Sequence, residues 1–199
     1  MNRLQQGIKK YYKEYIIKMN NSSLPIIRLE SGKQFIETFI GKLNVKWLRL
    51  PSEADCATLQ KLCIHNESSS TVDFQILIQY KVLDNISIPF VYYSPTNEAM
   101  MICHNNEYSL IGGVSSQRGP SQYQTNEKDV ELSERVESIQ TVYPPISQDS
   151  KGFGMGYQLK VAANSHAHVY DWEINHHHLY ELEKSHKHFK DLLAEKMFH

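Results

Sequence analysis

The run VDFQILIQYKV, residues 72–82, puts Phe74, Ile76 and Ile78 on one side of an extended chain and Asp73, Gln75 and Gln79 on the other. Only Leu77 interrupts the polar side. A two-residue alternation of this length belongs to a strand with one buried face, because successive side chains leave a strand in opposite directions. One strand cannot bury such a face alone, so the pattern calls for partners in a sheet and a second layer to cover it.

Further short apolar runs supply the partners. IPFVYYSP, EAMMICH and EYSLIGG are punctuated by Ser94-Pro95-Thr96-Asn97, His104-Asn105-Asn106 and Gly112-Gly113, all turn-forming stretches. LQKLCIHN reads as another strand. NVKWLRL begins with Val45 and Trp47 on one face, then breaks the alternation at Leu48 and Leu50, which implies a bulge or two partly covered faces. MGYQLKVAA and AHVYDWEI flank Asn164-Ser165 and read as an antiparallel pair. Strand and helix do not alternate as they would in a parallel α/β fold. The expected class is therefore mainly β: an antiparallel β-sandwich with an N-terminal and a C-terminal α-helix.

The N-terminal helix is expected over about residues 3–19, where Leu4, Ile8, Tyr11, Tyr12, Tyr15 and Ile16 recur at three- and four-residue steps, with Lys9, Lys10, Lys13 and Lys18 among them. The C-terminal helix is expected from about 176 to 198. Leu179, Leu182, Phe189 and Leu193 form its stripe, His186 fills the gap, and Asn175 is placed as the N-cap. The organisation follows: a helical arm at 1–28, the β domain at 29–174 with a polar, irregular insert at 114–152, and the helix at 175–199. One amphipathic turn or two is expected in the insert at Val130, Val136 and Ile139.

Composition removes several functions. Lys+Arg number 21 against 22 Asp+Glu, so there is no basic excess to attract nucleic acid. No apolar run approaches the roughly 18 residues needed to span a bilayer, and the basic N-terminus has no export-signal core. Three cysteines, Cys56, Cys63 and Cys103, are odd in number and lack CxxC spacing, as expected of reduced thiols in a cytoplasmic protein.

Eight of the ten histidines lie between Ser165 and His199. His176, His177 and His178 are successive and His186 and His188 are two apart, so on a helix neither group offers the four-residue spacing that aims two imidazoles at one ion. His166 and His168, two apart on a strand, share a face. With Glu173 they are similar to the HxH-then-Glu ligand set of cupin barrels, although Lys160 and Tyr180 stand where that motif has glycines. No metal or cofactor is assigned; this trio is the alternative. Cys103 and His104 are neighbours on a strand and face opposite ways, and no GxSxG elbow is present. The acids Asp73, Glu98, Glu107, Asp171 and Glu173 are scattered, and no spacing selects a catalytic pair.

Across about residues 59–190 the strand-and-turn pattern resembles the N-terminal sandwich of bacterial and archaeal family-15 glycoside hydrolases, the glucoamylase-like enzymes. The pieces carrying the resemblance are Tyr92 to Pro95, Met101 to His104, Tyr108 to Gly112, and Gln122-Tyr123, followed by a last hairpin and a helix leading away. In that family the two catalytic glutamates sit in a following barrel of paired helices, for which 199 residues leave no room. The resemblance thus implies a stand-alone relative of a non-catalytic domain, and no catalytic residue is carried over. The expected role is an accessory or binding module for a glycan or a partner protein, with Tyr92, Tyr93, Tyr108 and Tyr123 as possible sugar-stacking groups. The alternatives are a metal protein built on the strand histidines, and an assembly protein that associates through its two terminal helices, the one at 176–198 among them.

Overall fold

The computed structural model describes residues 11–19, 22–28, 33–52, 56–83, 89–126, 141–143, 145–148 and 150–197. The chain opens with β1 (Tyr11–Met19), β2 (Ser22–Arg28), β3 (Phe35–Ile40), β4 (Leu43–Leu50) and β5 (Ala57–Asn66). It continues through β6 (Val72–Val82), β7 (Phe90–Ser94), β8 (Ala99–His104), β9 (Glu107–Ser115) and β10 (Gln122–Gln124). The last elements are β11 (Thr141–Tyr143), β12 (Ile146–Ser147), β13 (Gly152–Val161), β14 (His166–His176) and α1 (Leu179–Met197). Two sheets result, one ordered β11-β10-β13-β6-β1-β2 and the other β12-β7-β8-β9-β14-β5-β4-β3. All neighbours are antiparallel except β10 and β11.

One apolar cluster draws on both sheets. Tyr15 and Ile17 of β1, Phe74, Ile76 and Ile78 of β6 and Met155 of β13 meet Val45, Leu62, Ile64, Ile102 and Val169 of the eight-stranded sheet. The alternation of β6 therefore points inward as expected, but Leu77 and Gln79 on its other face are buried as well. The cause is position: β6 is an inner strand, flanked by β1 and β13. In β4, Leu43, Val45 and Trp47 all face the core without a bulge, and Leu50 on the opposite face packs into a second cluster. Two partly covered faces account for the broken alternation.

Two expectations are corrected. The segment at 11–19 is a strand rather than a helix; residues 1–10, including Leu4 and Ile8, lie outside the described residues. Tyr11, Lys13, Tyr15 and Ile17 point inward at a two-residue period, and a lysine in that series hid the period. Tyr and Ile favour the pleated, half-buried setting of a sheet, and pairing with β6 from Tyr11 to Lys18 realises it. The described residues of the 1–28 arm, 11–19 and 22–28, are both strands. The second correction is that β13 and β14 are not a hairpin. β13 pairs with β6 and β10, whereas β14 pairs with β5 and β9 in the other sheet. The link between them crosses from one sheet to the other, with Asn164 at a φ of 53°. Buried Asn66 holds the crossing by donating from Nδ2 to the carbonyls of Val161 and Ala162, both at 3.0 Å.

The insert contains three short strands, β10, β11 and β12; the turn expected at Val130, Val136 and Ile139 lies outside the described residues. α1 begins at Leu179, later than expected, because Asn175 and His176 complete β14. His178 takes the N-terminal boundary in place of Asn175: its carbonyl accepts from Leu182 N–H at 3.3 Å. The helix stripe of Leu182, Phe189 and Leu193 is buried on Met101, Leu110, Trp172 and Ile174, on the outer face of the eight-stranded sheet. Intramolecular packing uses the surface that was a candidate for association between chains. No described helix is long and apolar enough to cross a membrane.

Truncating a side chain shared by both sheets leaves a cavity that the layers cannot close. Ile76→Ala is expected to cost about 2–5 kcal/mol in urea unfolding. Phe35→Ala, on an edge strand and 51% exposed, is expected to change stability by less than about 0.5 kcal/mol. Equal losses at the two positions would contradict the shared core.

Candidate functional site

The turn between β7 and β8, Ser94 to Glu98, is fastened from two sides. Proline and Asn suit the turn, and Glu98 closes it at a φ of 49°. Three contacts from α1 hold it. His186 Nε2 lies 2.8 Å from the Asn97 carbonyl, Asn97 Nδ2 donates to Glu183 Oε1 at 3.0 Å, and Lys190 pairs with Glu98. From the other side the Tyr123 hydroxyl donates to the Glu98 carbonyl at 2.6 Å.

Below this turn lies a cleft of about 180 Å³ lined by Tyr93, Glu98, Arg118, Gly119, Pro120, Ser121 and Tyr123. The Tyr93 and Tyr123 rings are 4.3 Å apart, at 35° to each other, and form its aromatic side. Tyr123 is buried, while Tyr93 keeps part of its ring accessible. The loop at 118–121 is held by Ser115, whose hydroxyl donates to the Arg118 carbonyl at 2.6 Å and whose backbone N–H reaches the same oxygen at 2.9 Å. A second, more open cleft of about 390 Å³ beside Gln34, Arg49, Ser52 and Thr58 has no aromatic wall. The first offers one ring face, a cation, a carboxylate and a hydroxyl within a volume smaller than the roughly 300–1,000 Å³ of drug-sized sites.

Burial first, and then the Glu98 charge, push the Tyr93 hydroxyl above its ordinary value, and burial does the same to Tyr123. Neither is an activated nucleophile. Glu98 is the one carboxylate among the described residues lining the cleft, so it faces no second carboxylate there of the kind glycoside hydrolysis uses.

The other sequence candidates are dispersed. Tyr92 and Tyr108 pack partly buried against the cluster beneath α1. His166 and His168 share the outer face of β14, as expected, but Glu173 lies an odd number of residues away along an unbroken ladder and faces inward. The cupin-like trio does not converge, and no group of three His, Cys, Asp or Glu able to hold a metal ion occurs among the described residues. His166 instead stacks on His65, with ring centroids 4.2 Å apart. Burial, then Lys61 and His166, lower the affinity of His168 for a proton. Burial raises the Cys63 and Cys103 thiols, which disfavours thiolate. Asp73 is exposed, whereas Asp171 is wholly buried between the sheets.

Sequence reasoning missed Arg118 and Ser121. Arg118 and Ser121 sit in the polar SSQRGPSQYQ stretch, where nothing marks one residue over its neighbours. His186 was legible as a member of the apolar helix stripe, and it is 3% exposed; its link to the β7–β8 turn was not legible. Trp172 Nε1–H donates to His186 Nδ1 at 3.1 Å. Because indole only donates, Nδ1 must be the acceptor and Nε2–H the donor to Asn97. Gly112 permits this approach, since a Cβ there would lie 2.7 Å from Trp172 Nε1.

No protein-family model and no curated protein sequence matches this chain. Solved structures do. A polysaccharide lyase superposes with a TM-score of 0.56 at 8% identity, over 89% of this chain and 27% of its own. A bacterial glucoamylase, solved in complex with acarbose, superposes with a TM-score of 0.57 at 14% identity, over 89% of this chain and 28% of its own. The fold is therefore one found within carbohydrate-active enzymes. This chain spans little more than a quarter of the length of either relative.

Burial lowers the His186 pKa more than the Asn97 carbonyl, Glu183 and Glu98 raise it, and Lys190 adds to the lowering. A folded-state pKa below the ordinary value of about 6.5 means that its stabilising contribution is complete above that pH and is lost as pH falls through the folded pKa. Protonation would set N–H against the Trp172 N–H. The melting temperature of wild type is expected to drop below about pH 6.5 more steeply than that of His186→Leu. Parallel profiles would remove His186 from the account.

Proposed function

We propose that the chain is a non-catalytic β-sandwich module that binds carbohydrate at the Tyr93–Arg118 cleft. The observation carrying this reading is the cleft itself: an accessible tyrosine face beside Arg118, Glu98 and Ser121, with no second carboxylate. A pyranose presents a C–H face that packs on an aromatic ring and equatorial hydroxyls that bond in pairs to guanidinium and carboxylate groups. Such contacts orient a sugar without attacking it. The volume accommodates one ring, which fits recognition of a chain end or a single residue rather than a long polymer groove.

The fold shared with segments of a glucoamylase and a polysaccharide lyase supports a carbohydrate setting. In such a setting the module would present a glycan to a catalytic domain, or tether one. The clamp between α1 and the β7–β8 turn supports the same reading, because a preorganised wall loses little entropy when ligand binds.

The test is retention on affinity gels carrying neutral and acidic polysaccharides, followed by titration with the oligosaccharides of whichever gel retards the protein. Tyr93→Ala and Arg118→Ala are each expected to weaken binding about tenfold, equivalent to about 1.4 kcal/mol. His166→Ala, stacked on His65 and outside the cleft lining, should leave retention unchanged. Absence of retention on every gel, or equal loss in all three variants, would sink the proposal.

A further inference from the structure

Between the sheets, the Lys13 side chain of β1 is in direct contact with the Asp171 carboxylate of β14 and with the Gln60 side-chain carbonyl of β5. Lys13 is 8% exposed and Asp171 fully buried. The Nζ atom lies 5.0 Å from the Tyr80 ring centre and 5.2 Å from that of Tyr15. The Tyr15 hydroxyl donates to Asp171 Oδ2 at 2.7 Å, on the oxygen that does not face the amine, and lies 3.0 Å from Gln60 Oε1. Both groups lie in the interior, where the attraction of an ion pair repays little of the cost of removing its charges from water.

We propose that Lys13 and Asp171 join in an intramolecular amide bond. One proton passes from the Lys13 ammonium to Asp171 Oδ1, and the freed Nζ lone pair attacks Asp171 Cγ, forming the C–N bond. Charge developing on Oδ2 is met by the Tyr15 O–H, a donor already aimed at that atom. Burial holds this hydroxyl protonated well above its ordinary range. Gln60 Oε1 accepts an N–H and fixes the orientation of the amine. The Cγ–Oδ1 bond then breaks. The ammonium starts with three hydrogens and the amide keeps one, so the two protons released from Nζ leave on Oδ1 as water. Nothing is oxidised or reduced, and no co-reactant is needed. Confinement within the core supplies the effective concentration that a free amine and carboxylate lack in water.

The bond would tie the six-stranded sheet to the eight-stranded sheet between positions 158 residues apart. Such a crosslink restricts the unfolded chain much as a disulfide does, but it cannot be reduced.

Intact-mass measurement of the full chain decides the matter, on protein shown to melt cooperatively. Wild type is expected to weigh about 18 Da less than its sequence, the mass of one water. Its tryptic digest is expected to contain a branched peptide joining the segment with Lys13 to the segment with Asp171. Lys13→Met and Asp171→Ala are expected at full sequence mass. Tyr15→Phe, which keeps both reacting groups, is expected to give a mixture that converts slowly. A folded wild type at full mass with both peptides unbranched would overturn the proposal and leave an ion pair. Persistence of the same loss in Lys13→Met would overturn it equally, by placing the dehydration elsewhere.

Discussion

The structure depends on one apolar layer in which the inward residues of β1, β6 and β13 interlock with those of β4, β5, β9 and β14. Each buried aliphatic side chain contributes about 1.5–3 kcal/mol of transfer free energy, so a layer of this size far outweighs any single polar contact. That layer also dictates which polar groups must find partners. Asp171, Lys13, Gln60 and Tyr15 are drawn inside because their strands alternate, and they satisfy one another there. A strand cannot turn one residue away from the core without turning them all.

The second cluster is smaller and has a different task. α1 lies across the outer face of the eight-stranded sheet, and Trp172, Phe189 and His186 fill the space between them. His186 is the joint between packing and site. It accepts from Trp172 on one side and reaches the Asn97 carbonyl on the other, so the position of the helix sets the position of the β7–β8 turn. The cleft wall is therefore held by the same contacts that dock the helix. Its opposite wall, the loop at 118–121, rests on β9 through Ser115.

Most strands were legible because the physical signal is local. Val72 to Val82 alternates, and Ser94-Pro95-Thr96-Asn97 punctuates. β1 was misread because Tyr12, Tyr15 and Ile16 also fit a helical step, and only pairing with β6 rewards the two-residue period. The supposed hairpin of β13 and β14 failed for a related reason. Two adjacent strands around a short turn are compatible with pairing to each other or with crossing between sheets, and the choice rests on partners that for β14 lie more than a hundred residues away in sequence. In the site, Tyr93 and Tyr123 were among the aromatics singled out, whereas Arg118 was indistinguishable from other surface polar residues until the fold brought it beside them.

The sequence by itself determined that the chain is mainly β and ends in an amphipathic helix, because residue periodicity is a property of neighbours along the chain. It also determined that His186 and His188, two apart, lack the four-residue spacing that aims two imidazoles at one ion from a helix face, since that follows from spacing alone. Tertiary structure decided which strands share a sheet, that Glu173 faces away from His166 and His168, that His186 is buried, and that Lys13 meets Asp171. Each of these joins residues distant in sequence, and such contacts are selected by how the two apolar faces fit together, for which no local pattern carries the information.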